Sequence, residues 1–249
     1  FGFSNYDYYN IAKTKNQGIE IAAEVIPVKT DNFTFTIGGN ITFQNSEITG
    51  LIDGAPAFGI DTGGIAGGVG NTIQVQGIGY SPNSFLVYEQ AYDNTGQPID
   101  GVFIDRNGDG SITLADRYVY KKPNSDIFYG FFTNLSYKNW DMAMSWRGSW
   151  GNYVYNNVDS NLGWSNQILI RDTDISNGVS EVLNTNFTTT SAERLKSDYY
   201  IQDASYIRLD NLTIGYNFKK FFNENVSARL SLAGQNLLLI TDYKGIDPE

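Results

Sequence analysis

The sequence predicts an all-β chain, a partial transmembrane antiparallel β-barrel of about six strands carrying long extracellular loops. Three observations lead there. Apolar and polar residues alternate with a period of two, the alternating segments run to roughly 9–14 residues, and short connections alternate along the chain with very long ones. Such strands exceed the usual length in soluble sheets and match what crosses a bilayer at a tilt.

Taken in order, the segment from Gly18 to Val25 sets Ile19, Ile21, Ala23 and Val25 against Glu20 and Glu24. Between Phe33 and Phe43 the odd positions are Phe33, Phe35, Ile37, Gly39, Ile41 and Phe43, and the even ones are small or polar. Ile127 to Tyr137 alternates likewise. In Trp140 to Trp150, Trp140, Met142, Met144, Trp146 and Trp150 oppose Asp141, Ser145, Arg147 and Ser149. Between Ser205 and Phe218 the phase changes from Ile207 and Leu209 to Leu212, Ile214, Tyr216 and Phe218, which predicts a β-bulge near Asp210-Asn211. A sixth strand covers Val226 to Leu232, with Arg229 on its polar side.

The connections at 29–31, 138–139 and 219–225 are short, whereas 49–126 and 151–204 are long, irregular and rich in Gly, Asn, Ser and Asp. Short turns at one end and long loops at the other is the plan of an outer-membrane barrel. A secreted, calcium-dependent β-sandwich that binds glycans is the alternative, since it too alternates and carries loops. Six strands cannot close a transport-sized barrel. The opening FGFSNYDYYN has no basic-then-apolar leader, and Gly245-Ile-Asp-Pro-Glu249 follows a strand without an aromatic closing strand. Residues 1–249 are therefore expected to be one portion of a longer barrel.

Composition narrows the chemistry. The 249 residues include no cysteine and no histidine, which excludes disulfides, Ser-His-Asp or Cys-His catalysis, and the usual zinc, haem-histidine and iron–sulfur sites. With 17 basic against 27 acidic residues and no basic run, nucleic acid is not an expected partner. No stretch of about 18 apolar residues marks a transmembrane helix, a test that does not bear on barrels.

The most specific local motif is Asp105-Arg-Asn107-Gly-Asp109-Gly110-Ser111-Ile-Thr113-Leu-Ala-Asp116. It fits the twelve-position calcium loop D-x-[DN]-x-[DN]-G. Asp105, Asn107 and Asp109 would supply side-chain oxygens, Ser111 its carbonyl, Thr113 an oxygen or a water, and Asp116 the last carboxylate. Hard oxygen donors suit Ca²⁺, with Mg²⁺ as the alternative. Pro98 and Gly101 oppose the flanking helices of an EF-hand, so a structural cation in an extended context, or a tight polar turn without one, is expected.

Weaker signals do not amount to sites. The run Gly63 to Gly70 lacks the Gly-Lys-Ser/Thr of a phosphate loop. Asp172 and Asp174, or Glu20 and Glu24, could be posed as a glycosidase pair, but the latter two stand about 13 Å apart along a strand. No catalytic residue is expected. Phe33, Tyr137, Trp140, Trp150, Tyr216 and Phe218, near strand ends, read as a membrane-interface girdle or as core. Tyr80, Phe85, Tyr88, Tyr92, Tyr153, Tyr155 and Trp164, in the loops, could stack on a ligand or pack the loops against themselves.

An ordered series of motifs covers nearly the whole chain. It comprises Gly18-Ile-Glu-Ile21, Tyr92-Asp93 to Gly96-Gln-Pro98, Phe103 to Gly110 with Asp116-Arg117, Tyr199 to Tyr216, Gly234-Gln-Asn236-Leu237, and Tyr243-Lys-Gly-Ile-Asp247-Pro248. This series resembles the C-terminal barrel portion of SusC/RagA-type TonB-linked outer-membrane proteins of Bacteroidetes. The resemblance implies a portion of a 22-stranded barrel around an N-terminal plug, with the plug, the TonB box and the remaining strands absent here. It further implies TonB-energised import of oligosaccharides or peptides across the outer membrane, with a SusD-like lipoprotein as a lid on the extracellular mouth. It would place the 105–116 loop extracellularly, and Arg208, Asp210 and Arg229 toward the lumen or plug.

Overall fold

A computed structural model of the chain describes residues 10–56, 58–66, 70–169, 177–188, 190–220 and 226–249. The opening decapeptide up to position 9, the Gly-rich stretch at 67–69, Asp172 and Asp174, and most of the 219–225 connection lie outside the described residues.

Six strands form one sheet: β1 (Ala12–Lys29), β2 (Phe33–Leu51), β3 (Ile127–Tyr137), β4 (Trp140–Trp150), β5 (Tyr206–Phe218) and β6 (Ala228–Thr241). They are ordered as they occur in the chain, each hydrogen-bonded to the next. Pairing is antiparallel from β2 to β3, β3 to β4, β4 to β5 and β5 to β6. This is the up-and-down meander that period-two alternation with short turns predicts. The two-residue turn Lys138-Asn139 joins β3 to β4, with Lys138 at φ 54°.

Three strands outrun the prediction. β1 has 18 residues, β2 has 19 and β6 runs past Leu232 to Thr241, because the ladder continues through segments without apolar alternation, Ala12–Gln17, Gln44–Leu51 and Ala233–Thr241. Backbone pairing needs no side-chain pattern, so the sequence signal ends where the apolar face ends although the strand does not. The Ile52 amide still donates to the Ile11 carbonyl at 2.9 Å.

The predicted bulge is present. Ser145 opposes Asn211 and Trp146 opposes Leu209, leaving Asp210 as the extra residue facing β4. On β6 the same point is met by Asn236-Leu237 between the pairs Asn211–Gln235 and Leu209–Leu238, with Asn236 at φ 52°. The extra residues keep Leu209 and Leu212 on one face despite the change of phase.

By its internal contacts the chain divides into two units. One comprises 17–45, 125–152 and 203–249, and the other 1–16, 46–124 and 153–202. The second corrects the expectation of irregular loops. It contains a four-stranded sheet of Ile60–Gly64, Thr72–Gln76, Ser84–Val87 and Tyr118–Val119, a hairpin of Gln90–Tyr92 with Pro98–Phe103, and short helices at Asn157–Leu162 and Ala192–Leu195. Its core draws on both long connections, with Ile73, Phe85 and Val87 from the first packed with Ile201 from the second. These strands are only two to six residues long and lie among Gly, Asn and Ser, too short for a periodic signal.

Candidate functional site

The register of the six strands decides which side chains share a face. Phe33, Tyr137, Trp140 and Tyr216 stand opposite one another across β2 to β5, and Leu230 continues the row on β6. Successive rows on the same face are Phe35, Leu135, Met142, Ile214 and Leu232, then Ile37, Thr133, Met144 and Leu212, and so on to Phe43, Ile127 and Trp150. One side of the sheet is thus apolar across five strands. It does not bury its side chains: Leu232 is 78% exposed, Leu230 70% and Trp150 60%. Soluble proteins rarely expose a continuous apolar patch of this size.

Aromatic rings mark both ends of that face. At the short-turn end Phe33 meets Tyr137 at 6.5 Å between ring centres, Trp140 meets Tyr216 at 4.8 Å, and Tyr216 meets Phe218 at 4.7 Å. Phe43 and Trp150 mark the other end. The Phe33 and Phe43 rows are ten residues apart, about 34 Å along a strand at roughly 3.4 Å per residue. Tilted by about 35–45°, that span projects to about 24–28 Å, the height of the apolar band on a membrane barrel. Between the girdles Phe131 stacks on Trp146 at 5.6 Å. Gly148 lets the Tyr129 ring lie across the backbone, since a Cβ there would come within 2.5 Å of it, and the Tyr129 hydroxyl donates to the Tyr206 carbonyl at 3.0 Å.

The opposite face is mostly polar and ionic, with Phe128 and Phe132 of β3 as apolar exceptions. Arg229 donates to both carboxylate oxygens of Asp141, at 2.6 and 3.3 Å, and Asn217 donates to the same group at 2.8 Å. Arg147 donates from Nε to Asp210 at 2.8 Å. Arg208 is largely buried and pairs with Asp247 at 2.6 Å. Arg208, Asp210 and Arg229 therefore belong to the polar side, as expected from the sequence. Arg147 and Asp141 join them because the two-residue period of β4 fixes their side.

The 105–116 loop follows the strand Pro98–Phe103 and ends in a single 3₁₀ turn, Leu114–Asp116, so no EF-hand helices flank it. Asp105 accepts the amides of Gly108 and Gly110, each at 2.7 Å, and that of Asp109 at 3.3 Å. Asn107 accepts the Asp109 amide at 2.9 Å and donates to its carboxylate at 2.9 Å, while Asp109 accepts the Ser111 amide at 2.9 Å. Gly108 and Gly110 take positive φ, 74° and 85°, as the sharp turns require. Asp116 is fully buried and accepts the amides of Arg106, Asn107 and Thr113 at 3.0, 3.2 and 2.8 Å, in a capping box with Thr113. Those amide bonds, the Thr113 amide first, hold its carboxyl below the ordinary range against the opposing effect of burial. The loop thus gathers Asp105, Asn107 and Asp109, gives Asp116 to its own backbone, and puts Ser111 and Thr113 between. Among the described residues, no group of three or more His, Cys, Asp or Glu side chains is arranged to hold a metal ion.

Sequence reasoning missed what anchors the loop. Gln90 is buried, and its side-chain nitrogen donates to the carbonyls of Ala91, Ile99 and Val102 while its oxygen accepts from Ser197. The Gln90 amide and the Tyr118 hydroxyl both donate to Asp198, at 3.0 and 2.7 Å. Burial raises the Asp198 pKa, and burial together with the Asp198 carboxylate raises that of Tyr118. Arg106 lies over the Tyr118 ring at 4.3 Å and pairs with Glu89. A lone Gln or Asp in a polar stretch carries no such signal, since only the fold brings residues 90 and 198 together. Of the loop aromatics, Phe85 and Tyr88 are buried and Tyr155 packs on Tyr200, whereas Tyr80 and Tyr92 are exposed.

No protein-family model matches the chain. Among curated proteins it is 37% identical to the TonB-dependent receptor SusC of Bacteroides thetaiotaomicron over 247 residues, covering 96% of this chain and 24% of that protein. It is 29% identical to the TonB-dependent receptor P3 of Formosa agariphila over 266 residues, covering 96% of this chain and 26% of that one. Among solved structures it resembles a chain of the RagAB peptide transporter, with a TM-score of 0.71 and 22% identity over 97% of this chain and 27% of that chain. The RagAB peptide importer in its open-open state gives a TM-score of 0.69 at 23% identity. The chain therefore spans about a quarter of the length of the proteins it matches. The likeness holds over nearly all of it, which replaces the β-sandwich alternative with a partial antiparallel barrel. These relatives are named as receptors and transporters, not as enzymes. Its strand order, its two-faced register and its sequence agree that the chain belongs to the SusC/RagA-type TonB-dependent receptors.

Proposed function

We propose that the chain is part of the C-terminal barrel wall of an outer-membrane transporter that imports oligosaccharides or peptides. The observation that supports this is the apolar face bounded by aromatic rows at bilayer spacing, backed by an ionic face suited to a wet lumen or to a plug. Peptide is the cargo named for RagAB, and both solute classes fit the resemblance. The same reading gives the parent protein TonB as its energy source, a SusD-like lipoprotein as its lid, and the outer membrane of a Bacteroidetes-like bacterium as its location. Fractionation of cells making the intact parent, with heat-modifiable migration of the product, tests it. Recovery in the outer membrane with a heat-dependent shift is expected, and a fully soluble parent refutes the reading.

We further propose that the 105–116 loop takes a structural Ca²⁺ through Asp105, Asn107, Asp109, Ser111 and Thr113, with the sixth expected ligand, Asp116, reaching the ion only by releasing the Arg106, Asn107 or Thr113 amide. All of these are hard oxygen donors, and the first three are already gathered by shared amide bonds. A bound cation would neutralise part of the net charge of −10 and stiffen the loop. Calorimetric titration of the parent with Ca²⁺, and separately with Mg²⁺, is expected to show one event that Asp105→Ala with Asp109→Ala abolishes. The same heat in that double variant refutes the assignment.

A further inference from the structure

Arg147 and Arg208 are direct cross-strand partners on β4 and β5. Like charges in that position repel, so the pair is kept only by anions placed between them. Among the described residues, the ion-pair partner of Asp210, in the bulge, is Arg147. The remaining anions come from outside the sheet, from the segment that follows β6. Asp247 accepts from Arg208, and the Glu249 carboxylate sits between both guanidinium groups. Arg147 holds Glu249 in a two-pronged contact whose longer arm is 2.7 Å, Arg208 approaches it at 3.2 Å, and the Tyr206 hydroxyl donates to it at 2.5 Å. The guanidinium carbons of Arg147 and Arg208 lie 5.9 and 5.6 Å from the Tyr206 ring centre, which orients both forks. Arg208 is 8% exposed, and its Nε has no hydrogen-bond partner among the described residues.

The receptor and its occupant differ in backbone pairing. Arg147, Tyr206 and Arg208 stand on paired strands, whereas Glu249 lies beyond the last strand residue, Thr241. With the segment seated, two guanidinium groups face three carboxylates. With it lifted, they face Asp210 alone, and one positive charge on the polar face is left without a counterion. A partly buried cation in that state draws in an anion, and a fork of two guanidinium groups with a phenol, already filled by the Glu249 carboxylate, is shaped to take a carboxylate.

We propose that Arg147, Arg208 and Tyr206 form a carboxylate-binding site on the polar face, in which Glu249 stands for the carboxylate of an imported solute, and that segment 243–249 is a strap displaced when such a solute binds. This rests on the reading of the polar face as the solute-facing wall, and it adds to that reading a ligand class and an exchange.

The test uses the purified full-length parent in detergent and two probes, triglutamate as the free acid and triglutamine with an amidated C-terminus, titrated by calorimetry. The free acid is expected to bind and the neutral probe not to. Glu249→Gln removes a tethered competitor and is expected to tighten binding of the acid by roughly tenfold, as loss of an intramolecular ligand at about millimolar effective concentration does. Arg147→Gln added to Glu249→Gln is expected to abolish that gain, and Arg208→Gln alone to weaken binding. Equal binding of both probes, no binding of either, or weaker or unchanged binding in Glu249→Gln overturns the proposal. Heat-modifiable migration and outer-membrane recovery of every variant are read in parallel. A failure of the transporter reading then appears in those measurements, and a failure of the carboxylate site appears in the titration alone.

Discussion

Placing arginine at Ile37 should destabilise the parent barrel far more than placing it at Asn40. The two residues are on the same strand and close in depth but lie on opposite faces, so the pair isolates the face assignment. Ile37 is four residues from the Phe33 girdle row and six from the Phe43 row, which puts it about 3 Å along the strand from the centre of the band. It is 36% exposed on the apolar side. Arginine at the lipid-facing midplane of a membrane barrel costs about 2–4 kcal/mol. At about 1.4 kcal/mol per decade this is roughly a 30- to 700-fold shift of the folding equilibrium. Asn40 is exposed on the polar side, where a long polar side chain should change stability by no more than about 0.5 kcal/mol. Reversible urea unfolding of the intact parent in phosphatidylcholine vesicles, followed by tryptophan emission, measures both. Equal costs for Ile37→Arg and Asn40→Arg, or a larger cost for Asn40→Arg, would mean that the apolar face does not meet lipid.

Three further outcomes are expected. Asn236 sits at φ 52° opposite the bulge, so Asn236→Gly should be near neutral while Asn236→Val should cost about 1–2 kcal/mol in the same unfolding assay. Phe187 is buried, with its ring 5.4 Å from Tyr199 and 6.3 Å from Tyr200, and Phe187→Ala should cost about 3–5 kcal/mol locally, read as faster limited proteolysis between 151 and 204 without loss of heat-modifiable migration. The Asp116 carboxyl titrates lower in the folded loop than when unfolded, so its contribution is fully present above the ordinary carboxylate range and is lost as the pH falls through the folded value. Protection of the Arg106, Asn107 and Thr113 amides, measured against their intrinsic exchange rates at each pH, should thus be undiminished above the ordinary aspartate range and fall only below it. Loss of protection already at neutral pH would contradict the bonding of Asp116.

Strand identity and the sidedness of each wall residue follow from local sequence. A period of two in Phe33–Phe43 or Trp140–Trp150 fixes which residues share a face whatever the strand packs against, and the change of phase at Asp210 announces its own bulge. Short turns make neighbours of β1 and β2 and of β3 and β4, whereas β2 to β3 and β4 to β5 pair across the two long connections. The loop at 105–116 was legible for a similar reason, because its hydrogen bonds join residues at most ten positions apart.

The rest was decided in three dimensions. Gln90 meets Asp198 across 108 residues, and Phe85 and Ile201 share a core although neither segment has the length for a periodic signal. The Arg147–Arg208 pair exists because register sets two cations opposite one another, and its counterion arrives from 102 residues away at Glu249. Backbone periodicity is a local property that the chain writes residue by residue. Pairing between buried polar groups depends on which distant segments meet, and for this protein only the tertiary structure determined that.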